Sequence, residues 1–196
     1  RNAEVMMTKS IAEECGTVAA TLFNVPRQPL YNDLYEDALL SYTLHEYLDD
    51  NDKTWPLLFP MAKSVVKAMD AITEFVKSRR GEYVGEYTLC GASKRGWTTF
   101  ITAATRDKRI KAIAPMVIDI LNMPVNVPYQ KHMYGAYSIE IKDYVNLGLT
   151  EGLSGKDKTS LLGMIDPYSY RKDYKIPKLL LLATNDQYWT VDAVKN

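Results

Sequence analysis

The stretch GEYTLCGASKRGW, residues 85 to 97, restricts this chain more than any other. Gly85 to Leu89 reads as a short strand, and CGASKRGW reads as a tight turn running into a helix. The helix is expected from Trp97 to about Thr105, where Thr102, Ala103 and Ala104 are small enough for close packing on a sheet. A β-branched and apolar run, IKAIAPMVID at Ile110 to Asp119, then reads as the next strand. Strand, helix and strand in this order imply parallel pairing through a crossover. Near the end, IPKLLLLA (Ile176 to Ala183) is almost continuously apolar, as expected of a strand buried on both faces.

The remaining segments extend this pattern. A helix is expected from about Ala3 to Glu14, and a buried strand over TVAATLFNV, Thr17 to Val25, between Gly16 and Pro26. PRQPLYND is a loop by its prolines and polar residues. EDALLSYTLHEYL places Leu40, Leu44, Tyr47 and Leu48 on one helical face. A second helix carries Met61, Val65, Met69, Ile72 and Val76, and ends in Lys77, Arg79, Arg80 and a Gly81 stop. Between Asn122 and Ile165 the chain turns tyrosine- and glycine-rich with weak periodicity, which reads as a cap inserted over one edge of the sheet at about 122–165. The expected architecture is a single α/β domain over 1–196: a mainly parallel sheet with helices on both faces.

Lysine plus arginine and aspartate plus glutamate number 24 each, so nothing in the overall charge favours nucleic acid or an anionic membrane surface. A small-molecule or peptide substrate fits better. No apolar run approaches the roughly 18 to 20 residues that span a bilayer, and the first residues lack a signal-peptide pattern. The chain begins at Arg1, and VDAVKN at its end reads as the first turn of a helix, so a fragment of a larger fold is expected. Cys15 and Cys90 sit beside apolar residues and are expected to be buried free thiols, with a disulfide as the other reading. No ligand-spaced His/Cys/Asp/Glu cluster, Walker motif or GxGxxG occurs, so neither metal nor cofactor is expected.

A serine at the carboxyl end of a parallel strand, on a turn leading straight into a helix, holds its hydroxyl clear of the sheet. Ser93 has this context, and the amide of Lys94 would point with the helix N-terminus toward an oxyanion formed there. The other reading is a simple turn serine. The glycines are spaced Gly-Ala-Ser-Lys-Arg-Gly, one residue longer than the usual Gly-x-Ser-x-Gly. Asp186 in ATNDQYW follows the last strand and should emerge at the same sheet edge, as orienting acid or as a helix cap. Asp119 is a second carboxylate at a strand end, or a hydrogen-bonded turn residue. Of the two histidines, His45 reads as structural, and His132 in the cap is placed to touch a substrate rather than to complete a triad. In the usual order the base follows one more helix and strand, beyond Asn196. Arg95 adds positive charge at the mouth, and Trp97, Tyr129, Tyr134 and Trp189 are candidates for an aromatic rim.

The blocks NVPRQPL, EDALLSYTLHEYL, WPLLFPMAKSVVKAMDAI, GASKRGWTTFITAATRDKRIKAIAPMVIDILNMP and DQYWT resemble the PhoPQ-activated pathogenicity-related proteins, a family that includes the autocrine proliferation repressors of amoebae. The similarity covers most of residues 17 to 192. It implies an α/β-hydrolase fold and a secreted or periplasmic location. By position, it also implies Ser93 as nucleophile and Asp186 as acid. Bacterial members are linked with virulence, and the amoebal repressor is a growth inhibitor with dipeptidyl-peptidase-like activity. The expected function is therefore a serine hydrolase cleaving ester or peptide bonds. The alternative is a secreted signalling protein acting through its surface on a cell-surface receptor.

Overall fold

The computed structural model describes residues 2–153 and 155–195. Its sheet has two parallel strands, β1 (Tyr87–Ala92) and β2 (Ile110–Met116), in register from Leu89 opposite Ile113 to Ala92 opposite Met116. The crossover between them is α4 (Lys94–Ala104). This helix is buried almost all round, from Gly96 to Ala103, as a helix packed between other layers must be. Its hydroxyls are satisfied internally: Thr98, Thr99 and Thr102 each donate to the carbonyl four residues earlier.

Two long helices build the layer beyond α4. In α2 (Glu36–Asp50) the acids Glu36 and Asp37 occupy the first turn, where they complement the helix dipole. Leu39, Leu40, Leu44 and Tyr47 are fully buried along one stripe, and each such side chain contributes about 1.5–3 kcal/mol. α3 (Leu58–Arg80) closes on Gly81 at φ 71°, whose amide bonds the Lys77 carbonyl. It starts three residues before Met61 because Pro60 falls in the first turn, where a missing N–H leaves no helical bond unmade. α3 packs directly on α4.

Residues 177–181 run parallel to β2 without forming a full strand. The amides of Leu179 and Leu181 donate to Ile113 and Pro115, and those of Ile113 and Val117 donate to Pro177 and Leu181. The expectation of burial on both faces is corrected here: Leu179 and Leu181 are 59% and 44% exposed. They share a face with Thr88 and Cys90, also exposed, while α4 packs against β1 and β2. Helices on both faces of the sheet are therefore not found among the described residues.

The expected strand at Thr17–Val25 is also absent. The segment is irregular, with Val18, Leu22 and Phe23 exposed, because β-propensity alone forms no strand without a pairing neighbour. Before it, α1 (Asn2–Cys15) presents Val5, Met6 and Met7 to solvent. Both cysteines are free as expected, but both are exposed: Cys15 ends α1, and Cys90 lies on the uncovered face of β1.

Residues 122–165 leave the sheet after β2 and fold as α5 (Met123–Tyr134), α6 (Lys142–Asn146) and α7 (Lys156–Ile165). The last two pack on α2. Buried Asp166 pins this excursion at its base, accepting from the amides of Asn122, Met123 and Tyr168 at 3.2, 2.8 and 2.9 Å.

Candidate active site

Ser93 occupies the single residue between β1 and α4, with φ 56° and ψ −128°. An L-residue held there stores about 1–3 kcal/mol of backbone strain, which persists only where the surroundings impose it. They do so from both sides. The Ser93 amide donates to the Met116 carbonyl of β2 at 2.9 Å, and the Trp97 amide donates to the Ser93 carbonyl at 3.0 Å. The flanking glycines are required on steric grounds: a Cβ at Gly91 would meet the Arg95 carbonyl oxygen at 2.6 Å, and one at Gly96 would meet Ile118 Cγ2 at 2.6 Å. The Lys94 amide lies ahead of the first bond of α4, where a helix has no acceptor of its own.

The Lys94 side chain turns into an acidic pair. Its Nζ lies 2.8 Å from Glu36 and 3.0 Å from Asp37, at 13% exposure, whereas Arg95 lies 3.5 Å from Glu36 at 58% exposure. The hydrogen bond from Lys94 holds the Glu36 carboxyl below its ordinary range. Gln28 clamps the same residue, accepting from the Glu36 amide and donating to its carboxylate. Tyr144 of α6 donates to Asp37 at 3.0 Å, and burial, then that carboxylate, pushes its phenol well above the ordinary value.

Asp186 emerges from the segment paired with β2, at the sheet edge that carries Ser93: Ala92 is opposite Met116, and Met116 is bridged to Leu181. Its Oδ1 accepts from the Tyr188 and Trp189 amides at 2.7 and 3.2 Å. Among the described residues Oδ2 has no hydrogen-bond partner. Tyr188 lies within electrostatic reach of Glu140, Asp37 and Lys94. Gln130 of α5 donates to the Tyr188 carbonyl, and Ser138 Oγ donates to the Gln187 carbonyl at 2.5 Å, fixing the loop from a third side.

Asp119 is 3% exposed and accepts from the Ala193 amide through Oδ2 at 3.1 Å, so it ties the far end of the Asp186 loop to the end of β2. Its Oδ1 is buried without a partner among the described residues. Burial, then the nearby Asp192 and Asp186 charges, push its carboxyl up to about 6. Neither histidine interacts with Ser93 among the described residues: His45 lies 3.8 Å from Asp49 on α2, and His132 is exposed on α5.

A family model for the PhoPQ-activated pathogenicity-related proteins matches residues 1–196. The chain belongs to that family. Within it, the chain is similar to autocrine proliferation repressor protein A of Dictyostelium discoideum, with 38% identity over 184 residues, 91% of this chain. It spans 37% of that relative's length. No solved structure matches the chain.

In this PhoPQ-related chain the remaining candidates divide. Trp97 is buried, with its indole donating to the Ile165 carbonyl at 2.6 Å, so it is a wall rather than an exposed rim; Trp189 is half-buried beside it on the same cavity. Tyr129 is half-buried and Tyr134 exposed on α5, and no hydrogen bond, ion pair or ring contact among the described residues joins Tyr129, His132 or Tyr134 to Ser93, Lys94 or Asp186. Sequence reasoning missed Glu36, Asp37, Tyr144 and Tyr188. The acid pair had a local explanation as dipole partners, and nothing local marks a contact across 58 residues.

Proposed function

We propose that the protein is a serine hydrolase of α/β-hydrolase type that cleaves ester or peptide bonds. The observation that carries this reading is the strained backbone of Ser93 at a strand-to-helix junction, with a helix N-terminus directly behind it. The Ser93 hydroxyl attacks the carbonyl carbon, forming a C–O bond as the carbonyl electrons move onto oxygen, where the Lys94 amide donates a hydrogen bond to the oxyanion; when those electrons return, the C–N or C–O bond to the leaving group breaks. A histidine contributed by chain beyond Asn196 takes the hydroxyl proton and returns it to the departing amine or alcohol; water then releases the acyl group by the same steps. Asp186 orients that histidine through Oδ2. A single oxyanion donor of this kind contributes about 10²–10³ in rate. Export to the periplasm or medium belongs to the same proposal and is checked by fractionation.

The name of the amoebal relative favours a second reading, a repressor of proliferation that acts through its surface on a cell-surface receptor. Fold does not decide between an enzyme and such a factor. Incubating the full-length protein with a fluorophosphonate probe does. Labelling lost in Ser93→Ala supports the hydrolase, and a folded protein that takes no label supports the surface-acting factor.

A further inference from the structure

A partly open cavity of about 60 Å³ lies among α2, α4, α5 and α7. Its lining is aliphatic, with Leu44, Ile120, Val127, Leu149, Leu161 and Leu162 around it. Trp97 and Trp189 complete one wall. Trp97 donates its amide to the Ser93 carbonyl, and Trp189 donates its amide to Asp186 Oδ1, so this wall stands on the two turns that carry the proposed nucleophile and acid. The cavity is therefore bordered by the residues that follow the candidate nucleophile and acid in each turn.

Three polar residues share the lining: the Tyr144 phenol donates to Asp37 and the Lys158 ammonium to the carbonyls of Gly148 and Glu151, which leaves one polar group unpaired. Thr150 is 6% exposed and lines the cavity, and its Oγ1 is buried without a hydrogen-bond partner among the described residues. Buried hydroxyls are ordinarily paired, and those of α4 all are. The space holds several times the roughly 15 Å³ that one water needs, yet falls well short of the roughly 150 Å³ of a cavity that admits benzene. A branched group of about three or four carbons matches that size.

We propose that this cavity is a specificity pocket for a small branched aliphatic group bearing one hydrogen-bonding atom, which Thr150 Oγ1 pairs. Resting on the hydrolase reading, the group is the side chain or acyl portion of the molecule whose carbonyl Ser93 attacks. Aromatic and straight long-chain groups exceed the space, and a methyl group leaves most of it unfilled.

The test uses full-length protein carrying Ser93→Ala, so that binding is read without turnover. Isobutyramide, acetamide and benzamide are titrated by ligand-observed NMR. Isobutyramide is expected to bind in preference to the other two, to lose at least tenfold in affinity when Leu162→Phe fills the cavity, and to lose severalfold in Thr150→Val, which is isosteric and keeps the fold. Isobutyramide binding that is absent, or unchanged in Thr150→Val and in folded Leu162→Phe, overturns the pocket. Fluorophosphonate labelling of the wild-type serine is measured in parallel. Probe binding without labelling retains the pocket and rejects the hydrolase, whereas labelling without probe binding rejects the pocket alone.

Discussion

Gly96 meets Gly91 across the Ser93 turn: a Cβ on Gly96 would stand 2.8 Å from the Gly91 carbonyl oxygen and 3.1 Å from that of Met116. The glycine that looks one residue late in the sequence is thus the point where α4 crosses both strands. Since the obstructing atoms are largely backbone, Gly91→Ala and Gly96→Ala are each expected to cost about 2–4 kcal/mol in urea unfolding. Both should also lose fluorophosphonate labelling. An alanine at either position with unchanged stability would contradict the close approach.

Ser93→Gly separates conformation from chemistry. Glycine accepts φ 56°, ψ −128° without steric cost, so this variant is expected to gain about 1 kcal/mol in stability while losing labelling entirely. Ser93→Ala loses labelling without that gain. Chemical denaturation of the three proteins side by side reads the difference.

Lys94 and Arg95 are adjacent cations with unequal surroundings. Lys94→Ala leaves Glu36 and Asp37 facing each other without their shared cation, and is expected to destabilise by about 1–3 kcal/mol. Arg95→Ala should fall within about 0.5 kcal/mol, as an exposed pair does. Raising the salt concentration should narrow the gap between the two variants only in part, because Lys94 and Asp37 are largely shielded whereas Glu36 is half exposed.

Asp119 makes stability depend on pH in a direction unusual for a carboxylate. Its folded value of about 6 stands above the ordinary 3.8, so between those values the folded chain holds a proton that the unfolded chain has released. Its contribution is therefore fully present below about pH 4 and lost as the pH rises through 6, on the order of 3 kcal/mol. Asp119→Asn removes this dependence. The difference between wild type and variant in urea midpoints from pH 4 to pH 7 isolates it from the other carboxylates, Glu36 among them, whose lowered value acts in the opposite sense.

Asp186→Asn keeps an oxygen for the Tyr188 and Trp189 amides, so the loop should hold its shape and stability should change little. Turnover of p-nitrophenyl esters by the full-length variant is expected to fall about 10²–10⁴-fold, the loss that follows when a histidine is no longer held in the required tautomer. A variant that turns over at the wild-type rate would remove Asp186 from the mechanism.

The local part of this fold was readable because short-range physics decides it. The stripe on α2, the basic last turn and glycine stop of α3, and the β1–α4–β2 order follow from spacing within a few residues. The start of α4 was placed late because Lys-Arg-Gly reads as turn, whereas the helix begins immediately after Ser93. Thr17–Val25 and Ile176–Ala183 look alike by composition, yet only the second finds a partner in β2, and pairing is a long-range event that no local pattern encodes. The same limit hid the Lys94–Glu36–Asp37 cluster. The shared sheet edge of Ser93 and Asp186 was legible because parallel strands align their carboxyl ends; the unpaired Thr150 hydroxyl was not, since it is marked only by a bond that is not made.

Trp97 and Trp189 border the same cavity, while Trp55 sits apart among Tyr31 and Tyr42, its indole donating to Asp50. Two of the three indoles thus face the space where a guest would lodge, and the third samples surroundings a guest never reaches. The chain thereby carries its own optical gauge: occupancy should alter emission from two tryptophans against a constant background from the other, with no dye attached.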